Sequence, residues 1–174
     1  MAEKYSIAGN SGESPLREQI VTYLNTGTSA QPTWSPVGRT VEDSSIDSDY
    51  SEDSKTDIFG TVWNTAKKPK REQEFSDSNL LAGDAVMNRV LDLCVVQQNM
   101  AEIQNQDCLV VYLFLQDSSG KAFAERYPNS TVLMTSIGGP GGEKAVAGIK
   151  VSYGGDRATG TFDKATKAFT ADDT

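Results

Sequence analysis

Thr131–Ile137 (TVLMTSI) runs into Gly138-Gly139-Pro140-Gly141-Gly142, and Ala145–Tyr153 (AVAGIKVSY) follows. The chain then turns at Gly154-Gly155-Asp156 and continues through Gly160-Thr161-Phe162-Asp163 to Lys167-Ala168-Phe169-Thr170-Ala171-Asp172. Short runs rich in β-branched residues, punctuated by glycine, read as strands joined by turns. No position here sets a nucleophile beside a base, so the stretch reads as β-structure made to pair with something. The glycine run resembles a phosphate loop only superficially. A Walker loop needs Gly-Lys-Ser/Thr opening a helix, whereas Glu143 follows Gly142 and a strand comes next. A mobile corner between two strands is the better reading.

Upstream, Cys108–Gln116 (CLVVYLFLQ) is apolar at odd and even positions alike, which predicts a central strand covered on both faces. The cover for one face is the clearest helix, over 84–98. Asp84 is its N-cap, and Met87, Val90, Leu91, Cys94 and Val95 fall on one stripe. Met87, Leu91 and Cys94 are expected to be almost inaccessible. Ala122–Arg126 reads as a short strand or turn before Pro128. Gln19–Thr26 (QIVTYLNT) is a further strand, ending at Gly27.

Val41–Tyr50 (VEDSSIDSDY) alternates. Asp43, Asp47 and Asp49 share one face with Ser45, while Ile46, Ser48 and Tyr50 share the other, and Ile46 and Tyr50 suit a core. Residues 51–79 are strongly hydrophilic around Ile58-Phe59-Gly60-Thr61-Val62-Trp63, and they hold the basic cluster Lys67-Lys68-Pro69-Lys70-Arg71. So long a segment with little structure is uncommon in a compact domain unless functional or disordered. It is read as an inserted loop or β-hairpin arm, with limbs near 54–63 and 66–75 and a turn around Asn64; disorder is the alternative. Phe59 and Trp63 on a polar arm suit burial by a partner. The four cations Lys67, Lys68, Lys70 and Arg71, set against seven carboxylates in 42–57, suit subunit contact, or else two solvated runs. Residues 1–14 read as a flexible arm.

The 174 residues suffice for one domain with a core that needs no disulfides. With 37% apolar residues, part of the chain is expected to pack poorly alone. Histidine is absent, which removes the usual general base and the commonest metal ligand. Cys94 and Cys108 have no second cysteine at metal spacing and read as buried free thiols. Asp47, Asp49, Ser51 and Asp53 fall short of a calcium loop, since Glu52 and Ile58 stand where glycine and glutamate are required. No cofactor, metal site or catalytic set is expected. No apolar run approaches the ~20 residues of a membrane span, and MAEKYSIAGNSGESP lacks a signal-peptide apolar region. Synthesis and assembly in the cytoplasm are therefore expected. The net charge of −8 disfavours binding to phosphate.

Taken in order, several pieces resemble the major tail protein, or tail tube protein, of phages with long non-contractile tails. They are Tyr23-Leu24-Asn25-Thr26-Gly27, Trp34-Ser35-Pro36-Val37-Gly38 entering an acidic strand, and Lys55-Thr56-Asp57-Ile58-Phe59-Gly60. Lys68-Pro69, Leu109-Val110-Val111-Tyr112-Leu113, the corner from Ile137 to Gly142 and the ending from Gly160 to Asp172 follow. The resemblance covers roughly residues 17–173, and the ordered set carries it rather than any single motif. It implies a mainly β protein, a β-sandwich with one flanking α-helix. Six subunits would close into a ring by joining their inner sheets, and rings would stack through the long arm into a tube in the virion tail. It further implies tape measure, tail tip and tail terminator partners, and DNA that passes without specific binding. The acidic face at Asp43, Asp47 and Asp49 would suit the lumen, and no membrane is involved. The competing reading is a monomeric β-sandwich binding carbohydrate or protein, which an exposed aromatic platform including Trp34 or Trp63 would favour.

Overall fold

In the computed structural model, described here over residues 4–172, the chain forms twelve strands and a short helical segment. The strands are β1 (Ser6–Ile7), β2 (Ile20–Asn25), β3 (Trp34–Pro36), β4 (Ile46–Asp49), β5 (Asp53–Thr56), β6 (Val62–Thr65) and β7 (Lys70–Asn79). After helix α1 (Ala85–Leu91), a π-helical stretch (Asp92–Gln97) and α2 (Met100–Ile103) come β8 (Gln106–Gln116), β9 (Ala122–Gly138), β10 (Val146–Tyr153), β11 (Ala158–Asp163) and β12 (Ala168–Ala171). The architecture is mainly β, as expected.

Two antiparallel sheets share one long strand. The first half of β9 pairs with β8 and β11, and its second half pairs with β10. One sheet therefore runs β3-β2-β8-β9-β11-β12, with β1 on the end of β8, and the other runs β9-β10-β7-β4. The changeover lies at Pro128 and Asn129, between the pairs Cys108↔Tyr127 and Gln106↔Ser130. Pro128 has no N–H to give a ladder, so it fits the irregular position. The sequence reading ended a short element before Pro128; instead the strand passes through it.

β8 is covered on both faces, as its composition requires. Cys108 joins Leu24, Phe75, Val132, Ile149 and Val151 in the core between the sheets, which Val86, Met87 and Val90 of α1 close at one side. Leu109 and Val111 point the other way, into a second cluster with Tyr23, Trp34, Ala124 and Phe162. Gly38, at φ +85°, brings the backbone so close to Phe75 that a Cβ there would stand 2.4 Å from the ring.

Asp84 caps α1, accepting from the Val86 and Met87 amides. The predicted stripe then fails after Leu91. The π-helical turn adds a residue and rotates the face, so Leu93 turns inward, Leu91 and Cys94 are only half-buried and Val95 is exposed. The N-terminal segment also differs from the expected loose arm over the residues described. β1 pairs with β8, Tyr5 packs edge-on to Phe123, and Lys4 pairs with Asp172 at 2.6 Å. The first three residues of that arm lie outside the described residues.

Candidate assembly surfaces

The acidic strand is shorter than its alternation suggested. Only Ile46–Asp49 pairs with β7, in the register Asp47↔Glu72 and Asp49↔Lys70. Residues 41–45 stay irregular because a side chain ties them down. The Ser44 hydroxyl donates to the Glu74 carbonyl at 2.6 Å and accepts from the Gln73 amide, while Arg17 holds the Ser44 carbonyl. Asp43 is exposed in this bend and does not share a strand face with Asp47 and Asp49. Tyr50 is exposed rather than part of the core, because the strand has ended and its carbonyl accepts the Lys67 amide.

Cross-strand register places further residues beside Asp47 and Asp49. Glu72 and Glu74 of β7 and Lys150 and Ser152 of β10 face the same way, while Gln73, Phe75, Ile149 and Val151 are buried on the opposite face. The outward face thus carries Asp47, Asp49, Glu72 and Glu74 against Lys70 and Lys150. Lys150 sits 2.7 Å from Glu72 and 3.9 Å from Glu74, and its ammonium holds the Glu72 carboxyl below the usual carboxylate range. Glu72 and Glu74 fall within the segment that reads as the arm, and only the pairing of β7 with β4 and β10 brings them beside Asp47 and Asp49. This sheet has an edge strand on each side. Among the described residues, β4 pairs only with β7, and β9 beyond Ser130 pairs only with β10. Thr135–Gly138 are exposed at that second edge.

The arm is a smaller hairpin than expected, and its turn lies elsewhere. β5 and β6 pair as Asp53↔Thr65 and Thr56↔Val62, so the turn is Asp57–Thr61 rather than Asn64. Asp57 organises it. Its carboxylate accepts from the Phe59 and Thr61 amides and from the Trp63 indole N–H at 2.8–2.9 Å. Gly60 takes the left-handed conformation that the turn needs, at φ +79°. Ile58 and Phe59 at the tip are 93% and 86% exposed, and Val62 and Trp63 are also exposed. The second predicted limb, 66–75, is largely β7, because its alternate residues Gln73 and Phe75 fill the core. Lys67 and Lys68 stand exposed at the hairpin's foot, and Lys70 is already in the sheet.

Arg71 is not on the arm either. It points between the sheets, where its guanidinium donates to Glu125 at 2.5 Å and to the Tyr127 hydroxyl at 3.0 Å. Arg157 and the Tyr112 hydroxyl complete the surroundings of Glu125. Burial, reinforced by the Glu125 charge, pushes the Tyr112 phenol above its ordinary range. Beside this cluster the Thr22 hydroxyl and Tyr153 hydroxyl both meet Gln73 Oε1. Sequence alone gave no sign of this network, since its members come from five strands and the segment after β10. Trp34, one of the two tryptophans on which the competing reading would build an aromatic platform, is buried, with Arg126 over its ring. Among the described residues, no group of three or more acidic or cysteine side chains is placed to hold a metal ion, and no helix is long and apolar enough to cross a membrane.

No protein-family model and no curated protein matches the sequence. Among solved structures, the chain is similar to the tube-terminating cap of the anti-feeding prophage, at 15% identity and a TM-score of 0.51, over 88% of this chain and 96% of that one. It is also similar to a chain in the sheath/tube terminator of PVC, an extracellular contractile injection system, in the extended state. That likeness has 13% identity and a TM-score of 0.50, over 86% of this chain and 99% of that one. The second belongs to a contractile system, and neither name speaks of the non-contractile tails that the sequence resembles. At these identities the likeness is one of fold: this chain shares a mainly β fold with these two structures.

Proposed function

We propose that this protein is a structural subunit of a phage-type tail tube, a passive part whose chemistry is self-association rather than catalysis. The observation that carries the reading is the sheet β9-β10-β7-β4. It has a buried inner face, a charged outer face and an edge strand on each side, and a hairpin exposing Ile58, Phe59, Val62 and Trp63 springs from its end. An isolated sheet edge is a liability, because unpaired N–H and C=O groups template aggregation. Six copies joined edge to edge, β4 to the free side of β9, would turn both edges into a closed barrel.

The charged face would then line the bore. With Asp47, Asp49, Glu72 and Glu74 against Lys70 and Lys150, each subunit contributes a net negative surface. That repels phosphate and lets DNA pass without sticking. The hairpin, through Phe59 and Trp63 with Lys67 and Lys68 at its foot, would join successive rings. Tape measure, tail tip and tail terminator proteins would be its further partners, in the virion tail and, during assembly, in the host cytoplasm.

A second reading, the ring that ends a tube, is favoured by the fold shared with two terminator-type structures. Sedimentation velocity and negative-stain microscopy of the purified chain over rising concentration separate these readings. Stacked rings with a stain-filled bore are the expected result; single rings that never stack would make it a terminator. A monomer at every concentration would overturn both and return the chain to a monomeric binding module.

A further inference from the structure

We infer that a cavity between the two sheets, lined by Arg17 and Arg71, binds an organic carboxylate carried on a short apolar stem. The site lies behind the charged face rather than on it, and it goes beyond the tube reading without depending on it.

The cavity is about 290 Å³ and lies where the inner face of β4 and β7 meets β2 and β8, with Tyr112 of β8 in its wall. Ser48 pairs with Arg71 and Ile46 with Gln73, so Ser48 and Ile46 share the inner face with Arg71. Arg17 reaches the cavity from the helical turn just before β2.

Arg71 meets both of its partners with one nitrogen. Nη1 donates to Glu125 and to the Tyr127 hydroxyl, while Nε and Nη2, the parallel donors on the side of the fork, have no acceptor among the described residues. No fully buried side-chain donor in those residues is left unpaired, so both nitrogens reach accessible space. Arg126 shows what that edge takes: its Nε and Nη2 grip the two oxygens of Asp107 at 3.0 and 2.7 Å.

The charge around the cavity is positive. Arg17 gives Nε to the Ser44 carbonyl and Nη1 to the Ile20 carbonyl, and it pairs with no carboxylate among the described residues. Glu125 is shared between Arg71 and Arg157, so one carboxylate faces two guanidiniums. Asp47, Asp49 and Glu72 belong to the outer face, and Glu18 and Glu42 line the adjoining cavity rather than this one. A cationic cavity thus sits inside a protein of net charge −8.

The rest of the lining defines the ligand. The Ser45 and Ser48 hydroxyls have no partner among the described residues and can donate to an oxygen, and Ile20 and Ile46 offer apolar contact. At ~30 Å³ per water the cavity holds about ten, more than one oxyanion fills. A carboxylate with roughly three or four carbons behind it suits that space, whereas bare phosphate would leave the isoleucines against water. Two sources carry such a group: a free aliphatic diacid and an acidic side chain of another protein.

Titration of the purified full-length chain, followed by calorimetry and amide chemical shifts, tests the site with glutarate, N-acetylglutamate N-methylamide and inorganic phosphate. Saturable binding of a carboxylate, with shifts concentrated at Ser45, Ile46 and Ser48, is the expected result. Phosphate should bind about tenfold more weakly, for want of the apolar contact. Tighter binding of glutarate assigns the site to a free diacid, whose second carboxylate meets Arg17. Tighter binding of the blocked glutamate assigns it to a protein side chain.

Arg71→Lys keeps the charge beside Glu125 but loses the fork, and Arg17→Gln removes the second cation. Each should weaken carboxylate binding about tenfold or more. Ser48→Leu should fill the cavity beside Arg71 and abolish binding, and Lys144→Gln in the glycine corner should leave it unchanged; thermal melting shows that each variant is folded. No saturable binding of either carboxylate would overturn the inference. So would binding that Arg71→Lys and Ser48→Leu leave intact, or phosphate binding as tight as that of glutarate. None of these results bears on whether the chain stacks, so the site and the tube reading fail separately.

Discussion

Arg71 of β7 and Glu125 of β9 meet at 2.5 Å between the two sheets, with the Glu125 side chain only 2% exposed. Arg157 and the hydroxyls of Tyr112 and Tyr127 surround the same carboxylate. The pair thus fixes how the charged sheet sits on the one behind it. A buried ion pair is weak evidence of net stability, but breaking it by removing one partner costs about 3–5 kcal/mol. Glu125→Leu should therefore lower the unfolding free energy by an amount in that range. Arg71→Met with Glu125→Leu should recover part of the loss, although Arg157 remains without its partner. Urea unfolding of the three proteins checks this. A loss under 1 kcal/mol in the single variant would mean that water already reaches the cluster.

The hairpin turn should open in acid. The Trp63 indole N–H first, then the Thr61 amide, with a smaller contribution from the Phe59 amide, hold the Asp57 carboxyl below its ordinary value of 3.8. A carboxyl lowered on folding contributes stability above its unfolded value and loses that contribution as pH falls through the lower folded one. Trp63 emission should thus be constant from neutral pH down to about 4 and change below it. Trp63→Phe should remove the transition, and Asp57→Asn should give the opened emission at every pH. A transition centred above pH 5 would mean that another group controls the turn.

The two thiols should react very differently. Burial pushes the Cys108 thiol up to about 12, and its side chain is fully enclosed, whereas Cys94 is half-buried. Since the thiolate is the reactive form, a thiol reagent at neutral pH should titrate one cysteine in the native protein and two in denaturant. Two fast native equivalents would show that the core opens near β8.

Truncation should rank the helix residues by the observed burial rather than by the ideal stripe. Met87→Ala removes a side chain that is 3% exposed and should cost about 2–5 kcal/mol. Leu91→Ala, at a half-buried position beside the π-helical turn, should cost less. Equal losses would indicate a regular helix through residue 97.

Charge reversal on the outer face of the sheet tests the bore. Asp47→Lys with Asp49→Lys should leave assembly intact and give tubes that hold DNA in a salt-dependent way. Asp43→Lys, in the bend before β4, should have no such effect. A density map placing Asp47 and Asp49 on the outer wall would end the conduit reading.

Features set by local rules were readable in the sequence. Asp84 caps α1 because a short acceptor precedes the first turn, and β8 is central because its apolar residues occupy both alternations. The failures come from tertiary overrides. Residues 41–45 alternate like a strand, yet the Ser44 side chain takes over the role of a backbone ladder. Residues 70–79 look like a polar arm because the side chains that turn inward include the polar Arg71, Gln73 and Ser78, with Phe75 the one apolar member. The π-helical turn has no periodic signature, so the regular stripe puts Val95 on the buried face although it is exposed. Asp47 and Asp49 were found by alternation, but Glu72 and Glu74 become their neighbours only through strand pairing. The Arg71–Glu125 pair is invisible to any pattern, since 54 positions separate its partners.

The passage of β9 through both sheets has a mechanical consequence. In a sandwich held only by side-chain packing, a shearing force between the layers works against dispersion contacts, and these yield gradually. Here the layers share one peptide backbone at Pro128–Ser130, so part of such a force becomes tension along covalent bonds. Bending or twisting of any larger object built from this unit would then be resisted first by chain stiffness at that crossing. A single backbone cut between Asn129 and Ser130 should soften the unit more than a cut in the glycine corner.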